Sequence, residues 1–147
     1  MRGTSKGLWI CGCCSSKQFR ANFLPLDQRE IKKEAARVLE RLPKEFRSRL
    51  HNVEIVIEKR PKKSQLKAMG LDPERDVLYG LYEGTPLSER SALYPPLLPD
   101  KITIFSESLT RDFPDPAKLR DQIRLTLLHE IAHFFGMDEK KINKLGY

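Results

Sequence analysis

Apolar positions along the chain fall into two kinds of run. Ile31, Ala35, Val38, Leu39 and Leu42 recur every three or four residues, the spacing that gathers side chains on one face of an α-helix. Asp27 stands ahead of them as an N-cap, with Glu30 three positions on at capping-box spacing, and Pro43 stops the run. Lys44 to Leu50 predict one or two further helical turns. Val53-Glu54-Ile55-Val56-Ile57-Glu58 is β-branched and partly alternating, which predicts a strand. A second strand is expected over Val77 to Gly84 and a third over Ile102-Thr103-Ile104-Phe105. Pro61 to Arg75 is charged and reads as irregular, and Pro86, Pro95, Pro96 and Pro99 predict a long surface loop.

The last long helix is predicted over about Ala117 to Phe135, after Pro114 and Pro116. Ile123, Leu127, Ile131 and Phe134 form one buried stripe of it, and Leu125, Leu128, Ala132 and Phe135 a second. The order of helices, strands and helix gives an α+β class. Residues 1 to about 23 are rich in Gly, Ser and Cys without periodicity and are expected to be a flexible leader, with the folded domain over 24–147.

Composition adjusts this picture little. At 147 residues, 39% hydrophobic and 32% charged, the chain suits one soluble domain with a single core. No apolar run is long enough for a membrane span, and Gly7-Leu8-Trp9-Ile10 is too short for the core of an export signal, so the cytoplasm is the expected location. The net charge of +7 raises the question of anionic partners. Its Lys and Arg residues are interleaved with Glu, the pattern of solvated helix faces, which argues against a nucleic-acid partner. Cys11, Cys13 and Cys14 are clustered and odd in number, which excludes a disulfide framework. His51 is the one plausible distant companion for a second zinc site there, or the cluster could fold over a metal as a thiolate switch. Neither is the main expectation.

The chemistry concentrates at His129-Glu130-Ile131-Ala132-His133. Residues i and i+4 share a helix face, so the two imidazoles can address one ion. Glu130, rotated by about 100° from His129, can lie beside an activated water and need not compete for the metal. Two of the three histidines of the chain fall in this pattern. By chance an H-E-x-x-H would occur in roughly one chain of this composition in three hundred, and the following Gly and acids make accident rarer. Zinc needs a third protein ligand. Gly136 permits a left-handed turn out of the helix, after which Glu139 can swing back to the ion. Asp138 is the alternative, as ligand or as a group orienting a histidine.

From about Asp27 to Tyr147 the chain resembles the small bacterial zincin-like metallopeptidases with an H-E-x-x-H-x-x-G-x-x-D/E signature. The resemblance extends to Leu39-Glu40-Arg41-Leu42-Pro43, Asn52 to Ile57, Leu78 to Leu87, Leu98 to Phe105 and the ending Leu145-Gly146-Tyr147. It implies a minimal zincin fold, in which a small mixed sheet packs against the active-site helix and the N-terminal helices. It also implies zinc held by His129, His133 and the acid at position 139. Met137 lies inside the motif and the sequence ends at Tyr147, so the downstream Met-turn of the metzincins is not expected.

The expected activity is hydrolysis of peptide bonds in a peptide or protein by metal-activated water, with Glu130 as general base. Tyr82, Tyr94 and Tyr147 are the candidate phenols for the oxyanion. Either Ile102 to Phe105 or Leu78 to Tyr82 could be the edge strand that holds an extended substrate. The competing expectation is a catalytically idle, zinc-stabilised binding module whose basic face meets nucleic acid or an acidic protein.

Overall fold

The computed structural model describes residues 27–91 and 98–146. The leader with its three cysteines, and Tyr94 and Tyr147, lie outside the described residues. Helix α1 (Gln28–Arg41) follows Asp27 as its N-cap, and its buried residues Ile31, Ala35 and Val38 are those of the expected stripe. The capping box does not form. The Asp27 carboxylate lies 3.3 Å from Arg29, and Glu30 turns forward to Lys33 at 2.7 Å. On an exposed first turn, a cation at i+3 out-competes the backbone N–H for Glu30. Pro43 then begins the single-turn helix α2 (Lys44–Arg47).

Strand β1 (Val53–Glu58) has the predicted bounds. The stretch after Pro61 is not irregular: Lys63–Ala68 forms helix α3. Its first turn is held by Gln65 Oε1, which accepts the Lys62 N–H at 2.9 Å, and Leu66 is buried. A six-residue helix with one inward apolar position leaves almost no periodic trace. Strand β2 (Gly80–Glu83) is shorter than the predicted second strand, and β3 (Asp100–Phe105) is longer than the third. A short 3₁₀ turn (Leu87–Glu89) lies in the Pro-rich connection.

The sheet order is β1-β3-β2. β1 runs parallel to β3 from Val53 opposite Asp100 to Glu58 opposite Phe105, and β2 runs antiparallel to it from Gly80 opposite Ile104 to Glu83 opposite Lys101. β3 is therefore central, and Ile102 to Phe105 cannot serve as the substrate-binding edge. β2 can.

Helix α4 (Ser106–Asp112) continues directly from β3, anchored where Ser106 Oγ donates to the Glu58 carbonyl at 3.1 Å. The long helix α5 (Pro116–Phe134) starts on a strong signal: Asp115 Oδ1 accepts from Ala117 N and Lys118 N at 2.9 and 3.0 Å, with Pro116 at the first helical position. A last helix, α6 (Glu139–Lys144), completes the domain.

Strand alternation sorts the core. Ile102 and Ile104 meet Ile31, Ala35 and Val38 of α1 and Leu119, Ile123, Leu127 and Ile131 of α5. Phe105 and Leu81 join Leu66, Leu71 and Leu78 in a second cluster. Each fully buried Leu or Ile contributes about 1.5–3 kcal/mol. The main cluster thereby clamps α5 onto the sheet and fixes the rotation of its C-terminal half.

Candidate active site

That rotation sets the chemistry. From Thr126 to Phe134, α5 is enclosed on nearly every side, and His129, Glu130 and His133 are all buried. The histidine face points towards neither core cluster. It meets the turn that leaves the helix. Gly136 has φ +82°, the Met137 N–H reaches back to the Ala132 carbonyl at 3.0 Å, and the Gly136 N–H bonds the His133 carbonyl at 2.9 Å. This is a Schellman turn, and a residue with a Cβ at position 136 would be strained in it. The turn reverses the chain so that Glu139, the first residue of α6, returns to the histidines.

His129 Nε2 and His133 Nε2 lie 2.9 Å apart, and Glu139 Oε1 is 3.4 and 3.1 Å from them. These three atoms form one compact triangle. Ligands about 2.0–2.1 Å from a tetrahedral zinc stand about 3.3 Å from one another, close to the separations found. Glu139 Oε1 is buried without a hydrogen-bond partner among the described residues, as suits an atom whose partner is a cation. Two imidazole nitrogens and one carboxylate oxygen are donors that zinc accepts, so the residues present fit a metal of this kind.

Asp138 takes neither part considered for it. Its Oδ1 accepts the Lys141 N–H at 2.8 Å, capping α6, and its side chain is exposed. Burial lowers the His133 pKa, while the Glu139 carboxylate and the Met137 carbonyl oppose the shift. A neutral imidazole is the form that binds a metal. His51, remote from this cluster in the chain, is exposed and meets the Ser48 carbonyl at 3.2 Å.

Glu130 sits on the side of α5 that faces β2. Burial pushes its carboxyl up to about 8, a backbone hydrogen bond from Tyr82 opposes this, and the Glu139 carboxylate reinforces it. The strand can come so close only because residue 80 is glycine. A methyl there would stand 2.7 Å from Thr126 Cγ2 and 3.0 Å from Glu130 Cγ and Oε1. Since the Phe105 N–H bonds the Tyr79 carbonyl at 2.9 Å, strand alternation turns the backbone groups of Gly80 and Tyr82 to the free side of β2.

A cleft of about 350 Å³ opens beside His129 and Glu130. Leu78, Phe113 and Leu125 give it an apolar lining, and Gly80, Thr126, Asn143 and Gly146 also line it. Tyr82 is not part of it. That ring packs edge-on against Phe134 at 6.1 Å, and burial raises its pKa against the pull of Arg90.

Sequence reasoning missed one further cluster. Asp100, 3% exposed at the start of β3, pairs with the Arg90 guanidinium. Arg90 also donates to the Thr85 carbonyl at 2.8 Å and stacks over the Phe134 ring at 5.1 Å. Nothing in the spacing of a Pro-rich loop announces such a pair.

No helix among the described residues is long and apolar enough to cross a membrane. A comparison with curated proteins finds no match. A family model described as Zincin-like metallopeptidase matches residues 50–147, well over half of the chain. The span begins after α1 and the Leu39–Pro43 block, and it takes in all three strands, α5 with its H-E-x-x-H, and the turn to Glu139. With the sheet, the enclosed helix and the donor triangle in place, the chain belongs to the zincin-like metallopeptidase family.

Proposed function

We propose that the protein is a zinc-dependent peptidase in which His129, His133 and Glu139 hold the metal and Glu130 is the general base. The observation that carries this reading is the convergence of three metal-donor atoms within 3.4 Å of one another, beside a buried carboxyl that takes no part in the triangle. When bound there, zinc lowers the pKa of water and polarises a carbonyl.

The remaining steps belong to the chain. Glu130, made more basic by its burial, accepts a proton from the attacking water and passes it to the departing amine. The free side of β2, at Gly80, offers backbone groups that can pair with an extended peptide. The apolar walls of the cleft suit a substrate side chain of Leu or Phe size, so peptides with such a residue beside the scissile bond are the favoured substrate class.

Glu130→Gln keeps the shape and removes the base. The variant should bind zinc as the parent does and lose about 10³-fold in kcat on a peptide library containing Leu and Phe. Undiminished hydrolysis by Glu130→Gln would overturn the assignment of the base. A parent protein that binds zinc yet cleaves nothing would favour the idle binding module.

A further inference from the structure

Peptide hydrolysis places negative charge on the former carbonyl oxygen, and a donor aimed at that oxygen is commonly the largest single contribution to rate. Tyr82, the one described candidate among the three phenols, is excluded: it packs on Phe134 in the Arg90 cluster and does not line the cleft. Arg90 is committed to Asp100 and Thr85. Within the cleft, the Tyr79 hydroxyl donates to Asp112 at 2.8 Å, and Gln122 lies 3.4 Å from the Thr126 hydroxyl. The Asn143 carboxamide has no hydrogen-bond partner among the described residues.

We infer that Asn143 is the catalytic donor that binds the peptide carbonyl and holds the oxyanion. The inference rests on the peptidase reading of the same site. Asn143 lies four residues after Glu139 on α6, so both side chains leave the same face of that helix. Ile142, with no exposed surface, pins the helix against the core. The residue thus shares a cleft with His129 and Glu130 and a helix face with a metal ligand. A carboxamide is also suited to the task chemically. It offers two N–H donors and carries no charge, so it neither repels a cation nor adds to the anionic load of Glu130 and Glu139.

In the step assigned to it, the water oxygen bonds the carbonyl carbon while the C=O π pair moves onto oxygen. Asn143 Nδ2–H donates to that oxygen. When the C–N bond breaks, the pair returns to form the carboxyl product, and the proton taken up by Glu130 goes to the amine.

The test compares the full-length zinc-loaded protein with Asn143→Ala and Asn143→Asp. Three quantities are read: zinc affinity by competition with a chromogenic chelator, kcat and KM on an internally quenched Leu-containing peptide, and affinity for the phosphonamidate analogue of that peptide. For Asn143→Ala, kcat should fall about 10²-fold while KM moves by less than about threefold. The phosphonamidate, a tetrahedral anion, should bind at least about tenfold more weakly, with zinc affinity unchanged. Asn143→Asp, which keeps the shape but puts a second anion against the oxyanion, should be at least as impaired. Unchanged kcat and phosphonamidate affinity in Asn143→Ala would overturn the inference, as would a loss of zinc affinity that runs parallel to the loss of rate. If the parent cleaves no peptide, the peptidase reading falls on its own. The phosphonamidate then decides, and equal binding or no binding by parent and Asn143→Ala rejects the donor role.

Discussion

Two buried polar clusters solve the problem of burial in opposite ways. At Arg90 and Asp100, a cation and an anion come from the chain itself, and Thr85 contributes both a donor and an acceptor. At His129, His133 and Glu139, two imidazole nitrogens and a carboxylate oxygen converge on one point. The first cluster is complete when the chain folds. The second, on the reading proposed above, is completed by a bound metal.

The contrast has a thermodynamic consequence, largest for the self-sufficient cluster. Asp100→Asn leaves the guanidinium buried, at 17% side-chain exposure, without its counter-charge. Breaking such a pair from one side costs about 3–5 kcal/mol, whereas the pair itself is worth far less against apolar replacements. The midpoint of urea unfolding should therefore fall steeply for Asp100→Asn. The double variant Arg90→Met/Asp100→Leu should lose less than the sum of its single changes. Strict additivity would show that the two residues are not coupled and that the comparison is false.

The incomplete cluster should respond to added metal instead. Zinc at a hundred times its dissociation constant should stabilise the parent by about 2.7 kcal/mol, read as a rise in Tm that a chelator reverses. Asp100→Asn should keep this increment even though it starts from a lower Tm. Glu139→Ala should show the reverse. Its metal-free Tm should be at or above that of the parent, because an unpaired buried acceptor is gone, and most of the zinc increment should vanish at the same metal concentration. Zinc stabilisation that survives Glu139→Ala in full would exclude Glu139 as a ligand.

The two clusters also differ in how far the sequence reveals them. His129, Glu130, His133, Gly136 and Glu139 lie within eleven positions, and helix geometry with one left-handed glycine is enough to bring them together. The strands β1 and β3 and the helices α1 and α5 are equally legible, since each repeats its apolar period for at least a full turn or several alternations. What escaped is long-range or short-lived. That β3 is central, and therefore closed to substrate, follows from a parallel pairing with β1 across more than forty residues, which no local pattern encodes. Helices α3, α4 and α6 have six or seven residues and show only one or two buried positions each, too few for a period. Asn143 is a lone polar residue past the motif, and its value depends on α6 folding back beside the cleft. The capping box at Asp27 was legible but wrong, since a solvent-exposed Lys33 claimed its second member.

One residue joins the legible motif to the illegible sheet order, and it sharpens the comparison by the smallest step. Gly80 lets β2 approach α5 until Tyr82 can hydrogen-bond Glu130, so the proposed base is placed by the strand as well as by its own helix. In Gly80→Ala the new methyl meets Thr126 and Glu130 at 3.0 Å or less, and either the strand or the carboxylate must move. Overpacking of this kind costs about 1–3 kcal/mol. The loss should not touch the metal triangle, since the new methyl's nearest neighbours belong to Thr126 and Glu130 and to none of His129, His133 and Glu139. Gly80→Ala should thus keep zinc affinity, lower the unfolding free energy modestly, and reduce kcat more than KM because the base is displaced. Titration of zinc and steady-state kinetics on the same preparation separate these effects. A variant that loses zinc as readily as activity would mean that the base and the ligands are held by one element. The division of labour between strand and helix would then have to be given up.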